Sequence, residues 1–268
     1  MDTATGSTRA CVQLDGIRLV NLALDDAVTA IECALAARQP TRIAFINADC
    51  ANIAARNDSY RADIEDCDWV FVDGIGMRIA GKVMGQPVAD NVNGTDLFPP
   101  LCRMLALQGR SLYLLGARHG IAAAAADWAQ RHCPGLKIAG TRDGYFAAAD
   151  TTAVLADIRK SAADVLLVAF GAPRQEAWIR EHFADTGATV AMGIGGLFDY
   201  FADRIPRAPL WMRRAGLEWV FRLIQEPGRL WRRYLVGNLV FLARLARTRA
   251  GLTKMSSSPR STLSNSGA

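Results

Sequence analysis

An aspartate at the end of a short apolar run offers the clearest chemistry in this chain. Trp69-Val70-Phe71-Val72 is rich in aromatic and β-branched residues and reads as a buried strand. Asp73 follows at once, then Gly74-Ile75-Gly76, then a helical run from Met77 to Met84. A carboxylate at the carboxyl end of a strand, ahead of a helix start, lies where open α/β sheets build their ligand crevices. The same aspartate would also serve as an ordinary helix cap. The glycines let a ligand approach the backbone, and a helix start favours a phosphate or another anion. Transfer of a group from a phosphorylated donor needs a base for the attacking hydroxyl, and partial burial raises a carboxylate toward that task. Further strand ends carry Asn47, Gly171 and Gly193-Ile194-Gly195, with Gln175 just beyond Gly171, and Asn93-Gly94 stands in a turn that opens a helix. Their backbone N–H groups suit a phosphate-bearing ligand.

The elements that position these residues alternate in type. Val12-Gln13-Leu14 and Ile17-Arg18-Leu19 flank Asp15-Gly16, a hairpin signal. Leu24 to Arg38 has helical periodicity and stops before Pro40. Strands are expected at 42–46, 69–72, 111–115, 136–139, 165–170 and 189–192, with helices between them. Strands alternating with helices predict a Rossmann-like α/β fold with a parallel, helix-covered sheet. Residues 1–203 are expected to form this catalytic domain, 204–249 a basic helical appendage and 250–268 a Ser-rich disordered tail.

Charge divides along the same line. Residues 1–203 carry 18 Lys+Arg against 24 Asp+Glu, a net of −6, whereas 204–249 carry 11 Arg against 2 Glu, a net of +9. A basic block of this kind points to an anionic surface as its partner. The six cysteines show no C-x-x-C spacing and fall mostly in apolar runs, as expected of core thiols in a reducing cytosol. Met1 to Arg9 lacks an apolar signal core, and the apolar run Tyr234 to Ala243 is too short to span a bilayer. The expected location is cytoplasmic, peripheral to the inner face of the cell membrane.

Three rival motifs carry less. Asp66-Cys67-Asp68 has the short D-x-D spacing of a metal clamp, but two carboxylates are too few ligands for a hard cation. Neither Gly74-Ile75-Gly76 nor Gly193-Ile194-Gly195 completes G-x-G-x-x-G, since Ile79 and Phe198 occupy the third glycine position. His119, His132 and His182 are scattered without metal-ligand spacing.

The order of motifs resembles a known family. Asn47-Ala48-Asp49, Asp73-Gly74-Ile75-Gly76, Asn93-Gly94-Thr95-Asp96, Gly140 to Phe146, Gly171-Ala172-Pro173-Arg174-Gln175-Glu176, Gly193 to Asp199, Arg207-Ala208-Pro209 and Gly216-Leu217-Glu218-Trp219 follow one another as in the WecG/TagA/CpsF glycosyltransferases, family 26. The resemblance implies an inverting transfer of a hexose from a UDP-sugar to a polyprenyl-diphosphate-linked sugar at the cytoplasmic membrane face. It implies that Asp73 is the general base, that Asn47 and Gln175 line its pocket, and that no metal or other cofactor takes part. The basic appendage would associate with membrane and complete the active site.

Two departures bear on the donor. This chain has Phe45-Ile46 where many teichoic-acid relatives have Thr-Pro, and Asn91-Val92-Asn93-Gly94 where they have Arg-Val-Thr-Gly. Losing that arginine removes a cation that could grip an acidic group. A plain hexose is therefore expected as donor, and a resemblance to glucosyltransferases of xanthan-type exopolysaccharide repeat-unit assembly implies UDP-glucose. The alternative is N-acetylmannosamine or its uronic acid, in teichoic-acid or enterobacterial-antigen-type synthesis. On a helical wheel from Leu230, Trp231, Tyr234, Leu235, Phe241, Leu242 and Leu245 share one side and Arg229, Arg232, Arg233, Arg244 and Arg247 the other. This predicts an interfacial helix, with Arg214, Arg222, Arg229, Arg232 and Arg233 at lipid headgroups or the acceptor diphosphate. Val236 and Val240 break the polar face, which would suit packing on a neighbouring subunit of a homo-oligomer. Two non-enzyme readings compete. One is a membrane adaptor with a nucleotide-binding body; the other is a nucleic-acid binder using arginines among aromatics, which the family resemblance disfavours.

Overall fold

The computed structural model describes residues 11–251, apart from the side chains of Arg214 and Arg229. The expected leader at 1–9 and the Ser-rich tail beyond 252 lie outside the described residues. The chain opens on a hairpin of β1 (Cys11–Leu14) and β2 (Ile17–Val20), joined by Asp15 and Gly16 at φ 55° and 78°. Both turn residues are left-handed, which is what a two-residue hairpin turn of this twist demands. Then follow α1 (Leu24–Ala36), β3 (Thr41–Ile46), α2 (Ala48–Ala54), α3 (Asp58–Glu65), β4 (Trp69–Val72), α4 (Ile75–Val83) and α5 (Gly94–Leu107). The second half runs β5 (Ser111–Gly116), α6 (Ile121–His132), β6 (Lys137–Arg142), α7 (Thr151–Ser161), β7 (Val165–Ala169), α8 (Arg174–Thr186), β8 (Val190–Gly193) and α9 (Leu197–Phe201).

Six strands form one parallel sheet in the order β4-β3-β8-β7-β5-β6. The last strand of the body, β8, inserts between β3 and β7, so the chain's late glycine loop stands beside the Asn47 loop after β3, one strand from the Asp73 loop after the edge strand β4. β4, β7 and β8 are buried along their whole length, as parallel strands covered on both faces must be. Alternate residues serve opposite faces. Ile43, Phe45, Val165 and Leu167 pack with α1, α5, α6 and α9, whereas Ala44 and Ile46 face the hairpin, α2 and α4, and Leu166 and Val168 face α7 and α8. The cysteines divide: Cys50, Cys102 and Cys133 are buried as expected, but Cys11 and Cys33 are exposed.

The basic segment folds into α10 (Leu210–Arg214), α11 (Glu218–Gln225), α12 (Pro227–Trp231) and α13 (Gly237–Arg249), with a π-helical turn over Arg232–Val236 before α13. That turn shifts the register, so a single wheel drawn from Leu230 misassigns faces beyond it. Phe241 and Leu245, expected in lipid, are each 1% exposed and complete the core with Ala48, Ala51 and Met77. Arg244, expected on the solvated face, pairs with Asp15 at 2.7 Å and donates to Asn52 Oδ1 at 3.1 Å, and Asn52 Nδ2 donates to Gly237 O at 2.8 Å. Trp231, Leu235, Val236, Leu239, Val240 and Leu242 do remain exposed. Among the described residues no helix is long and apolar enough to cross a membrane.

Truncating a fully buried phenylalanine removes its apolar contacts and leaves a cavity, typically at a cost of about 3–5 kcal/mol. Phe241→Ala should therefore release α13 from α2, seen as faster amide hydrogen exchange in both helices. Unchanged exchange would show that α13 is held by its polar contacts alone.

Candidate active site

The site lies at the carboxyl ends of β3, β4, β7 and β8, where the strand order brings four loops together. It is a cleft of about 580 Å³, roofed by α11 to α13. Asn47, Asp73, Gly74, Gly76, Asn93, Gly94, Gly171, Gln175, Gly193 and Gly195 all line it, as do Arg222 and Arg233 from the appendage.

Asp73 leaves β4 with its backbone N–H donating to Ile46 O at 2.9 Å, an extension of the β3–β4 ladder. Its side chain is therefore aimed by sheet geometry. Asn47 completes the placement with both ends of one carboxamide. Its Oδ1 accepts from the N–H groups of Asp49 and Cys50 at 3.1 and 3.0 Å, capping α2, while its Nδ2 donates to Asp73 Oδ2 at 3.2 Å. Burial holds the Asp73 carboxyl above the usual carboxylate range, against the Asn47 hydrogen bond and the guanidinium groups of Arg233 and Arg222, which lower it. Asp73 does not cap α4: the residue before that helix is Gly74, and α4 starts without a side-chain cap. An uncapped helix start beside a carboxylate leaves N–H groups free for an anion.

The glycine loops differ from the expected phosphate cradle. Gly74 N–H donates to Asn91 Oδ1, and the N–H groups of Gly171 and Gly195 donate to Gln175 Oε1 at 3.0 and 2.9 Å. These three amides are engaged within the protein, which corrects the expectation that they face a ligand. Gln175, 4% exposed, ties the β7 and β8 loops together. Gly193 gives it room, since a Cβ there would lie 2.9 Å from Gln175 Nε2. Asn93 is likewise occupied. Its Oδ1 accepts from Asp96 N–H at 2.8 Å and its Nδ2 donates to Asp96 Oδ2 at 2.7 Å, capping α5. Inside α5, Pro99 cannot bond the carbonyl of Thr95, and Arg207 reaches that oxygen at 3.5 Å.

The cations of the appendage separate into roles. Arg233 pairs with Asp49 at 3.0 Å, and Arg222 lies 5.1 Å from the Tyr200 ring centroid with Nη1 3.4 Å from Tyr234 Oη. Arg207 and Arg213 pair with Asp96 at 2.8 and 3.5 Å. Arg232 is exposed, lies over Trp231 and does not line the cleft. Arg214 and Arg229 fall on helices, with side chains outside the described residues. Sequence reasoning missed Asn91, Arg213, Glu218, Tyr200 and Tyr234 as cleft residues. Glu218 sat in a quoted motif and Asn91 was marked as a departure, but their partners are far away in the chain.

Asp66 and Asp68 stand at the opposite end of the strands, just before the amino end of β4. Arg42 Nη1 lies 2.5 Å from Asp66 Oδ2, and Arg42 N–H donates to Asp68 Oδ2 at 2.7 Å. Their D-x-D spacing serves a structural ion pair at the start of β4. Among the described residues no group of three or more His, Cys, Asp or Glu side chains is arranged to hold a metal ion.

Residues 12–255 match the glycosyl transferase WecG/TagA/CpsF family. A relative from Bacillus spizizenii is 35% identical over 68% of this chain and 70% of its own length. One from Bacillus subtilis is 31% identical over 72% and 74%, and one from Staphylococcus aureus is 29% identical over 81% and 85%. All three are named N-acetylglucosaminyldiphosphoundecaprenol N-acetyl-beta-D-mannosaminyltransferase.

If Asp73 takes the proton of an attacking hydroxyl, Asp73→Asn should lower turnover by roughly 10²–10⁴-fold while UDP binding persists. Near-normal turnover in the folded variant would leave Asp73 a structural residue. The base must be ionised, so activity should be lost as pH falls through a pKa raised above the ordinary 3.8. Asn47→Ala removes a hydrogen bond that lowers this pKa, and the acidic limb of the kcat profile should then move to higher pH.

Proposed function

Because the chain belongs to the WecG/TagA/CpsF family of glycosyltransferases, we propose that it moves N-acetylmannosamine from a UDP-linked donor to an N-acetylglucosamine carried on a polyprenyl diphosphate. The observation that carries this reading is the half-buried carboxyl of Asp73, hydrogen-bonded by Asn47 in a cleft lined by three arginines and an uncapped helix start. The attacking hydroxyl gives its proton to Asp73 as its oxygen bonds the anomeric carbon. The bond from that carbon to the phosphate oxygen breaks with its electron pair, and UDP leaves from the opposite face, inverting the centre. The charge that develops on the leaving diphosphate meets the α4 N-terminus and the guanidinium groups of Arg222 and Arg233. These groups supply charge stabilisation without a metal, so activity should survive EDTA and Asp66→Ala. Loss in EDTA that Mg²⁺ restores would bring a metal back into the mechanism.

The donor follows the names of the relatives, which favour N-acetylmannosamine over the glucose expected from the sequence. Position 91 holds an asparagine engaged with Gly74 N–H, so no cation stands there for an acidic sugar, which disfavours a uronic acid donor and leaves neutral glucose as the second reading. A panel of UDP-sugars offered with synthetic N-acetylglucosaminyl- and glucosyl-diphosphate lipids decides between the readings by product mass and linkage. Transfer of glucose alone, to the glucosyl lipid, would overturn the main reading.

The exposed apolar residues of α12, the π-turn and α13 would lie in the lipid boundary at the cytoplasmic face, with exposed arginines near headgroups. Arg232→Glu should weaken binding to anionic vesicles, most at low salt, and leave turnover on a soluble acceptor analogue nearly unchanged. Arg233→Glu should instead lower turnover on both acceptors. The reverse pattern would exchange the roles of the two arginines.

A further inference from the structure

Glu176 is a carboxyl that the transfer chemistry does not use, and it lies 2% exposed beneath the cleft. Its Oε1 accepts from Gln175 Nε2 at 2.8 Å, whereas Oε2 is buried without a hydrogen-bond partner. Burial pushes the carboxyl up to about 7, and Asp63, which pairs with Arg180 at 2.7 Å, adds to the rise. A half-satisfied buried carboxyl is destabilising, and a methionine of similar volume would avoid that cost. Stability does not account for a glutamate here; its one contact does.

The logic of that contact is directional. The N–H groups of Gly171 and Gly195 can only donate, so the oxygen of the Gln175 carboxamide must face them and its NH₂ must face Glu176. Turned over, the amide would set donors against donors and release both loops. An acceptor at position 176 selects the correct orientation, and Glu176 Oε1 provides one. Gly171 and Gly195 have φ of 77° and 56°, left-handed conformations that hold each loop close to the glutamine.

We propose that Glu176 is a positioning residue for sugar transfer, locking the Gln175 carboxamide so that the loops after β7 and β8 keep the separation the donor diphosphate requires. This rests on the cleft being the donor site. The step involves no proton transfer and no contact between Glu176 and substrate.

The test is a double-mutant cycle read in donor KM, kcat, UDP binding and Tm. Glu176→Met should raise donor KM about tenfold, with a smaller change in kcat, since a lost hydrogen bond of this kind contributes on the order of 1 kcal/mol. Glu176→Gln keeps an acceptor and should restore a near wild-type KM. Gln175→Met should match or exceed Glu176→Met, and the double variant should be no worse than Gln175→Met alone, because the two side chains act as one unit. Unchanged donor KM in Glu176→Met, or additive losses in the double variant, would overturn the inference. If Glu176→Met does not fold, the exchange Gln175→Glu with Glu176→Gln tests the same contact. It should recover the KM lost in Gln175→Glu alone, and no recovery would count against the inference. A wild-type chain that binds no UDP would instead overturn the donor-site reading, and this inference with it.

Discussion

Asn47 uses both ends of its carboxamide, and the geometry of the cleft depends on the result. The oxygen must cap α2, whose first N–H groups have no other partner, so the nitrogen is left to face Asp73. One side chain thereby ties the end of β3 to the end of β4. The ladder bond from Asp73 N–H to Ile46 O does the same through the backbone. The carboxylate is thus held from two directions in a site where burial disfavours its charge. A base with a raised pKa and a fixed position is what a hydroxyl nucleophile needs.

The opposite wall obeys a similar rule. Gly171 and Gly195 lie 24 residues apart in the chain but share one acceptor, the oxygen of Gln175. Backbone groups that could not be left unpaired in a buried wall are satisfied by a side chain. The cost is that these amides are closed to a ligand. Anion recognition falls instead to the uncapped start of α4 and to the arginines of the roof. A cleft with rigid, self-satisfied walls keeps its shape before substrate arrives, which favours preorganised charge stabilisation.

The opposed charges of body and appendage also find a structural use. Asp15, Asp49, Asp96 and Asp199 of the body pair with Arg244, Arg233, Arg207 and Arg204 of the basic segment. Part of the basic excess is answered within the chain, which narrows the inference from charge to an anionic partner. Ion pairs with partial access to solvent contribute modestly to stability, so Phe241, Leu245 and Leu230 supply most of the anchorage and the charges set the orientation. The apolar residues left exposed are those the docked helices cannot bury.

Local residue types were enough to read the alternation of strands and helices, the hairpin at Asp15-Gly16, and the placement of Asp73 between a strand and a helix. Each depends on neighbours in the chain, where β-branched runs, glycines and caps act directly. Motif order was enough for the family. Strand order was not legible, because the insertion of β8 between β3 and β7 depends on contacts between distant segments. The partner of Asn91 and the bridge that Gln175 makes between Gly171 and Gly195 were not legible either. A carboxamide offers the same donor and acceptor to ligand or backbone, and only tertiary proximity decides which takes them. The helical wheel of the appendage showed two faces without showing what covers them. The π-turn at Arg232–Val236 and the docking of α13 against α2 buried Phe241 and Leu245, because the body had an apolar surface there to be closed.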